Sequence, residues 1–193
     1  MSNQSDEFII ALRDIMQLIT SDYKGMIIGG IAVIALGYPR VTTDIDSTIF
    51  VNPDDIEPLI SRLCACGIEP RIDNVMDFAR SNHILLMKHA KTGIDIDISI
   101  AMLPFEEDAI ANRQFVDFAG IRIVIPRVED IIIYKMVASR SEDIRDVEEL
   151  MLRHFDEIDL RRVRKIISQF SEILDCPEII TVFDNIVRHT EGL

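Results

Sequence analysis

Two short runs, Thr43-Asp44-Ile45-Asp46 and Gly93-Ile94-Asp95-Ile96-Asp97, alternate acid with isoleucine, and this pattern constrains the fold more than any other feature of the chain. Successive side chains of a β-strand point to opposite faces, so each run presents two carboxylates on one face, roughly 7 Å apart. Two such strands side by side, at about 4.8 Å, would collect four carboxylates in one patch. Like charges at that spacing repel, and the ordinary remedy is one or two hard divalent cations held by oxygen ligands. The pattern therefore predicts an acidic sheet face suited to metal-assisted phosphate chemistry.

The chain has 193 residues, 48% of them hydrophobic, enough for one sizeable core or two small ones sharing an interface. The N-terminal MSNQSDEFII lacks the basic start and apolar run of a signal peptide, and no stretch reaches the roughly 18 apolar residues of a membrane span. A cytoplasmic protein with no membrane partner is expected. Cys64, Cys66 and Cys176 then read as reduced, buried or semi-buried thiols. A net charge of −13 argues against a large non-specific nucleic-acid surface. The basic run Arg161-Arg162-Val163-Arg164-Lys165 reads first as a solvated helix surface and second as a local RNA patch.

Periodicity divides the chain near Pro126. Before it, a helix over 7–19, a strand at 26–28, a Gly29-Gly30 turn, a helix over 31–36 and a strand over 43–51 are expected. Asn52-Pro53-Asp54-Asp55 supplies a cap, an early proline and first-turn acids for a helix reaching about Cys66. Strands near 68–72, 84–88 and 94–100 follow, with a short irregular or helical piece at 75–79; the last two strands form a hairpin across 89–93. A further hairpin is expected over 115–118 and 121–125. Beyond Pro126, helices over 131–139, 142–155, 160–174 and 178–188 are expected. The fold class is α+β: a mixed sheet with flanking helices over 1–125, then a helical bundle over 126–193. Ile179, Ile180, Phe183 and Ile186 on the last helix are apolar and could pack inside or form a homodimer face.

The segment GGIAVIALGYPRVTTDIDS resembles the signature of the polymerase-β-like nucleotidyltransferase superfamily: a glycine pair, a short helix, and an acidic doublet on the next strand. GIDIDIS resembles the third-carboxylate strand of that superfamily, and EDIIIYKMVASRSEDIRDVEEL resembles the lysine-bearing and acid-rich helices of its minimal and abortive-infection-type members. The similarity covers most of residues 27–150. One departure is Gly30, where a small polar residue usually follows the first glycine.

The resemblance implies that Asp44 and Asp46 bind a nucleotide-bound Mg2+ and that Asp97 completes a two-metal site, also suited to Mn2+, and acts as general base on the acceptor hydroxyl. Asp95 shares the face of Asp97 and could replace it as a ligand. Gly29 and Gly30 would open backbone N–H groups to a polyphosphate, beside Thr43. Lys135 stands among Ile131, Ile132, Ile133, Tyr134, Met136 and Val137, so its ammonium must snorkel outward or find an anion, a triphosphate being one choice. Arg140, Asp143 and Asp146 match the family pattern, to shape a nucleotide pocket or form an intrahelical charge network. Arg40 and Ser47 are further candidates. His83, His89, His154 and His189 share no metal spacing and read as structural or exposed.

The expected activity is nucleoside monophosphate transfer from a nucleoside triphosphate to an acceptor hydroxyl on a protein, a transfer RNA or a small molecule, with pyrophosphate release. The resemblance also implies a cognate toxin or antitoxin partner. The competing readings are a catalytically inactive nucleotide-binding interaction module and a plain calcium-binding protein. The intact acids count against the first, and the lack of an alternating oxygen-ligand loop counts against the second.

Overall fold

A computed structural model describes residues 4–192. Five strands form one mixed sheet in the order β1-β2-β5-β4-β3: β1 Lys24–Ile27, β2 Ile45–Phe50, β5 Asp95–Ile100, β4 Ile84–His89 and β3 Ile68–Pro70. All neighbours are antiparallel except β2 and β5, which run parallel. A two-stranded hairpin, β6 Gln114–Phe118 with β7 Ile121–Ile125, follows, and β7 lies against β1. The expected α+β class is the one observed.

Strand β5 carries the alternation read from the sequence, with Ile96, Ile98 and Ile100 buried and Asp95, Asp97 and Ser99 partly exposed. Helix α1 (Gln4–Ser21) packs on β1, and its Leu12, Ile15 and Ile19 are essentially inaccessible in the core. Helix α2 (Gly29–Ala35) joins β1 to β2, while α3 (Ile56–Ala65) and α4 (Val75–Asn82) cover β3 and β4. Helix α5 (Pro104–Ala111) was not foreseen from the sequence, because its apolar residues Phe105, Ala109 and Ile110 mark no clear stripe. Asn52 donates to the Asp55 side chain at 3.1 Å instead of capping a helix, and a single 3-10 turn at Pro53–Asp55 leads into α3.

Past Pro126, α6 (Val128–Ala138), α7 (Ser141–His154), α8 (Leu160–Ile173) and α9 (Glu178–Glu191) form a helical group, and α6 also rests on α2. Buried residues from the sheet and from these helices belong to one apolar cluster. Of the two alternatives for α9, inward packing is the one observed: Ile179, Phe183 and Ile186 are buried, and Ile180 is partly buried against the core. Within the basic run, Arg162 pairs with Asp108 and Asp130 and Arg164 with Asp184, so both serve to join helices. His89 is buried between Asp14 and Thr92, at 3.0 and 2.8 Å, which is a structural role. The cysteines are free, but Cys64 is exposed on the outer face of α3, against expectation. Among the described residues no helix is long and apolar enough to cross a membrane.

Phe183 is 1% exposed and lies far along the chain from the sheet, yet it joins the common core. Phe183→Ala should lower the unfolding free energy by about 3–5 kcal/mol, read from urea denaturation. A loss below about 1 kcal/mol would show that α9 is peripheral to the core.

Candidate active site

The site grows from the parallel pairing of β2 with β5. Its register sets Asp46 beside Asp97 and Ile45 beside Ile96, so the two alternating runs bring acid against acid and isoleucine against isoleucine. Asp44 immediately precedes β2, two residues from Asp46 and on the same face. The backbone N–H of Ile28 donates to the Asp46 carbonyl at 2.9 Å, which fastens the start of α2 to this point of the sheet. Gly29 has φ +61°, and a Cβ there would come within 2.0 Å of the Asp46 carboxylate. Glycine is therefore required twice, by backbone conformation and by space. A Cβ on Gly30 would meet Thr42 Oγ1 at 2.7 Å, and that hydroxyl donates to Asp44 Oδ1 at 3.1 Å.

The charges are unevenly compensated. Burial, then Asp44, then Asp97 push the Asp46 carboxyl from 3.8 up to about 6, against the weaker opposing pull of Lys135 and Arg140. Burial also raises Asp97, even though the Arg71 guanidinium opposes it. Asp95 goes the other way: burial raises it, but hydrogen bonds from Arg71 and Lys88 outweigh that and hold it below the usual range. Arg71 was missed from the sequence. Its Nη1 meets Asp95 Oδ2 at 2.6 Å and its Nη2 bonds Asp97 Oδ1. Among the described residues, no three His, Cys, Asp or Glu side chains stand close enough together to hold an ion as they are. A cleft of about 570 Å³ beside these acids is lined by Glu7, Thr43, Asp44, Arg71, Thr92 and Asp95, among others.

The helical half contributes a buried ion-pair network. Lys135 finds its anions inside the protein, Asp143 at 2.7 Å and Asp146 at 2.9 Å, and Arg40 pairs with Asp146 from the other side. Lys135, Asp143 and Asp146 are all nearly inaccessible, so a direct triphosphate contact through Lys135 is not what the structure presents. Arg140 is exposed, and its backbone N–H donates to Asp143 at 3.3 Å. Thr43 is exposed at the cleft. Ser47 corrects the sequence reading: it is fully buried, on the face of β2 opposite Asp46, and cannot reach a ligand in the cleft.

Two tests follow from these charges. Lys135→Met strands Asp143 without its main partner and should cost roughly 3–5 kcal/mol in denaturant unfolding, with Lys135→Arg much milder; equal stability would remove Lys135 from a structural role. The second concerns Asp46, whose folded pKa of about 6 lies above its ordinary 3.8. The folded metal-free protein then binds the proton more tightly than the unfolded chain, so this group's contribution is favourable at low pH and is lost as pH rises from about 4 to 6. Asp46→Asn should flatten that slope and stabilise the metal-free protein at pH 7 by roughly 2–3 kcal/mol, measured as unfolding free energy against pH. An unchanged slope would show that the strain lies elsewhere.

Solved structures share this architecture. The chain aligns with the antibiotic-resistance factor ANT(2'')-Ia in solution at a TM-score of 0.61 and 14% identity, over 91% of this chain and 97% of that one. A crystal structure of ANT(2'')-Ia in complex with adenylyl-2''-tobramycin gives 0.58 and 15%, over 88% and 99%. An antigenic nucleotidyltransferase-like protein from Paracoccidioides brasiliensis gives 0.55 and 18%, over 94% of both chains. At these identities the likeness is one of fold. No curated protein matches the chain in sequence. A family model described as "Nucleotidyltransferase of unknown function" (DUF6036) matches residues 7–182, nearly the whole chain, and the protein belongs to that nucleotidyltransferase family.

Proposed function

We propose that the protein is a Mg2+-dependent nucleotidyltransferase, which moves a nucleoside monophosphate from a nucleoside triphosphate to an acceptor hydroxyl and releases pyrophosphate. The observation that carries this reading is the β2–β5 register, Asp46 beside Asp97, with Asp44 on the same face. The donor set fits the ion: the three side chains offer only carboxylate oxygens, which suit hard Mg2+ or Mn2+. Burial, together with Asp44 and Asp97, raises the Asp46 pKa, a penalty on its charged form that a bound cation would relieve. Bound Mg2+ would neutralise the triphosphate and spread charge over the attacking and leaving oxygens.

Asp44 and Asp46 would hold the nucleotide-bound ion, and Asp97 the second. Burial makes the Asp97 carboxylate a better proton acceptor than an exposed one, which suits removal of the acceptor's hydroxyl proton. Gly29 and Gly30 let the start of α2 pack directly against Asp46 and Thr42, which sets the chain turn beside the proposed metal, while Thr43 and Arg140 are exposed and would meet phosphate oxygens. Lys135 acts through its field on Asp46 and through the network that holds α6 to α7. The net charge of −13 favours a small molecule or a protein over a long RNA as acceptor. ANT(2'')-Ia, whose complex contains an adenylylated antibiotic, offers a small-molecule precedent on the same fold.

The test is thermal unfolding of wild type and of an Asp44→Ala/Asp46→Ala double mutant with each nucleoside triphosphate, with and without Mg2+. One triphosphate should stabilise wild type only when Mg2+ is present, by about 2.7 kcal/mol at one hundred times the dissociation constant, and should leave the mutant unmoved. No shift with any triphosphate up to millimolar concentration would favour an inactive interaction module.

A further inference from the structure

We propose that Arg71 is an internal counter-ion for the third carboxylate and competes with a divalent cation for Asp97. The proposal rests on the metal reading of the site given above and adds what governs entry of the ion. Arg71 follows β3, and its backbone N–H donates to Leu86 O at 2.9 Å; Leu86 in turn lies beside Asp97 in the β4–β5 ladder. The side chain thus crosses β4 to reach β5, a span of about two strand spacings, or roughly 10 Å between backbones. There its planar fork divides between two acids, one nitrogen on Asp95 and the other on Asp97. A fork shared in this way is a directed contact, stronger than a passing surface pair.

Compensation across the four acids is asymmetric. Asp95 has a second cation, Lys88 at 3.3 Å, and keeps it if Arg71 departs. Asp97 pairs with Arg71 alone among the described ion pairs. Departure of Arg71 would therefore release chiefly Asp97, the acid that the β2–β5 register sets beside Asp46. Arg71 has somewhere to go, because it lines the cleft with Thr43 and Asp44 and its side chain is 23% exposed. The cost of gathering the acids is carried by arginine while the site is without an ion, and the ion must displace that arginine from Asp97. Metal alone should bind weakly, and binding should strengthen once the triphosphate adds its own anionic oxygens and gives the guanidinium a new partner.

The test uses Mn2+ alone, without nucleotide, followed by electron paramagnetic resonance of free and bound ion. Arg71→Gln should bind Mn2+ about tenfold more tightly than wild type, the factor that about 1.4 kcal/mol of lost competition produces. Asp97→Asn in the Arg71→Gln background should abolish that gain. Arg71→Lys, a point charge that cannot fork between two acids, should show a smaller gain in the same direction and covers the case in which the glutamine variant folds poorly. As a second readout, Mn2+ should raise the melting temperature of Arg71→Gln more than that of wild type. Affinity that is unchanged or weaker in Arg71→Gln, or a gain that survives Asp97→Asn, would overturn the proposal. Should neither protein bind Mn2+, the proposal falls, and the triphosphate experiment shows whether the metal reading falls too: a Mg2+-dependent shift in wild type would leave that reading standing.

Discussion

Repulsion between carboxylates brought together by one pair of parallel strands is the constraint to which the rest of the site answers. The β2–β5 ladder is the single parallel pair in the described sheet, and its register leaves no freedom: a slip of one residue would turn Asp46 or Asp97 into the apolar core and isoleucine outward. Burial of Ile45, Ile96 and Ile98 on the far face fixes the register, and so fixes the acids. The hydrophobic effect thus assembles a cluster that electrostatics alone would disperse.

Around that cluster the chain distributes positive charge by distance. Arg71 touches Asp95 and Asp97 directly, while Lys135 and Arg140 act on Asp46 only through space. Asp46 makes no direct ion pair among the described residues, and it is also the acid against which the Gly29 backbone packs. Compensation is complete where the fold needs permanence, at Lys135 between Asp143 and Asp146, and incomplete where a ligand is proposed to enter.

Much of this was legible in sequence because it is local. Alternation of acid and isoleucine gave the two strands and their faces, and Gly29-Gly30 marked the turn beside them. Lys135, hemmed in by apolar residues, was bound to find an anion, although sequence alone left open whether that anion was a ligand or the protein's own Asp143 and Asp146. Arg71 was invisible because its contact depends on strand order: only with β3 and β5 on either side of β4 does a residue 26 positions from Asp97 meet it. Ser47 misled because it adjoins Asp46 in sequence, whereas strand geometry sends neighbours to opposite faces. Helix α5 was missed because it is short and carries three acids among few apolar residues, too little to mark a helical stripe.

The network of Arg40, Lys135, Asp143 and Asp146 also has a mechanical meaning. Arg40 belongs to the loop that leads into Asp44, Lys135 to α6, and the two acids to α7. Pulling that loop away from the helices would take one of its two cations from the buried Asp146 and leave Lys135 alone to serve both acids, a penalty in a poorly solvated interior. The loop on the Asp44 side of the cleft is accordingly riveted to the helices, so under the proposed function a nucleotide would meet a fixed edge there, and any adjustment to an acceptor would fall to the rim that carries Arg71 and Glu7 of α1.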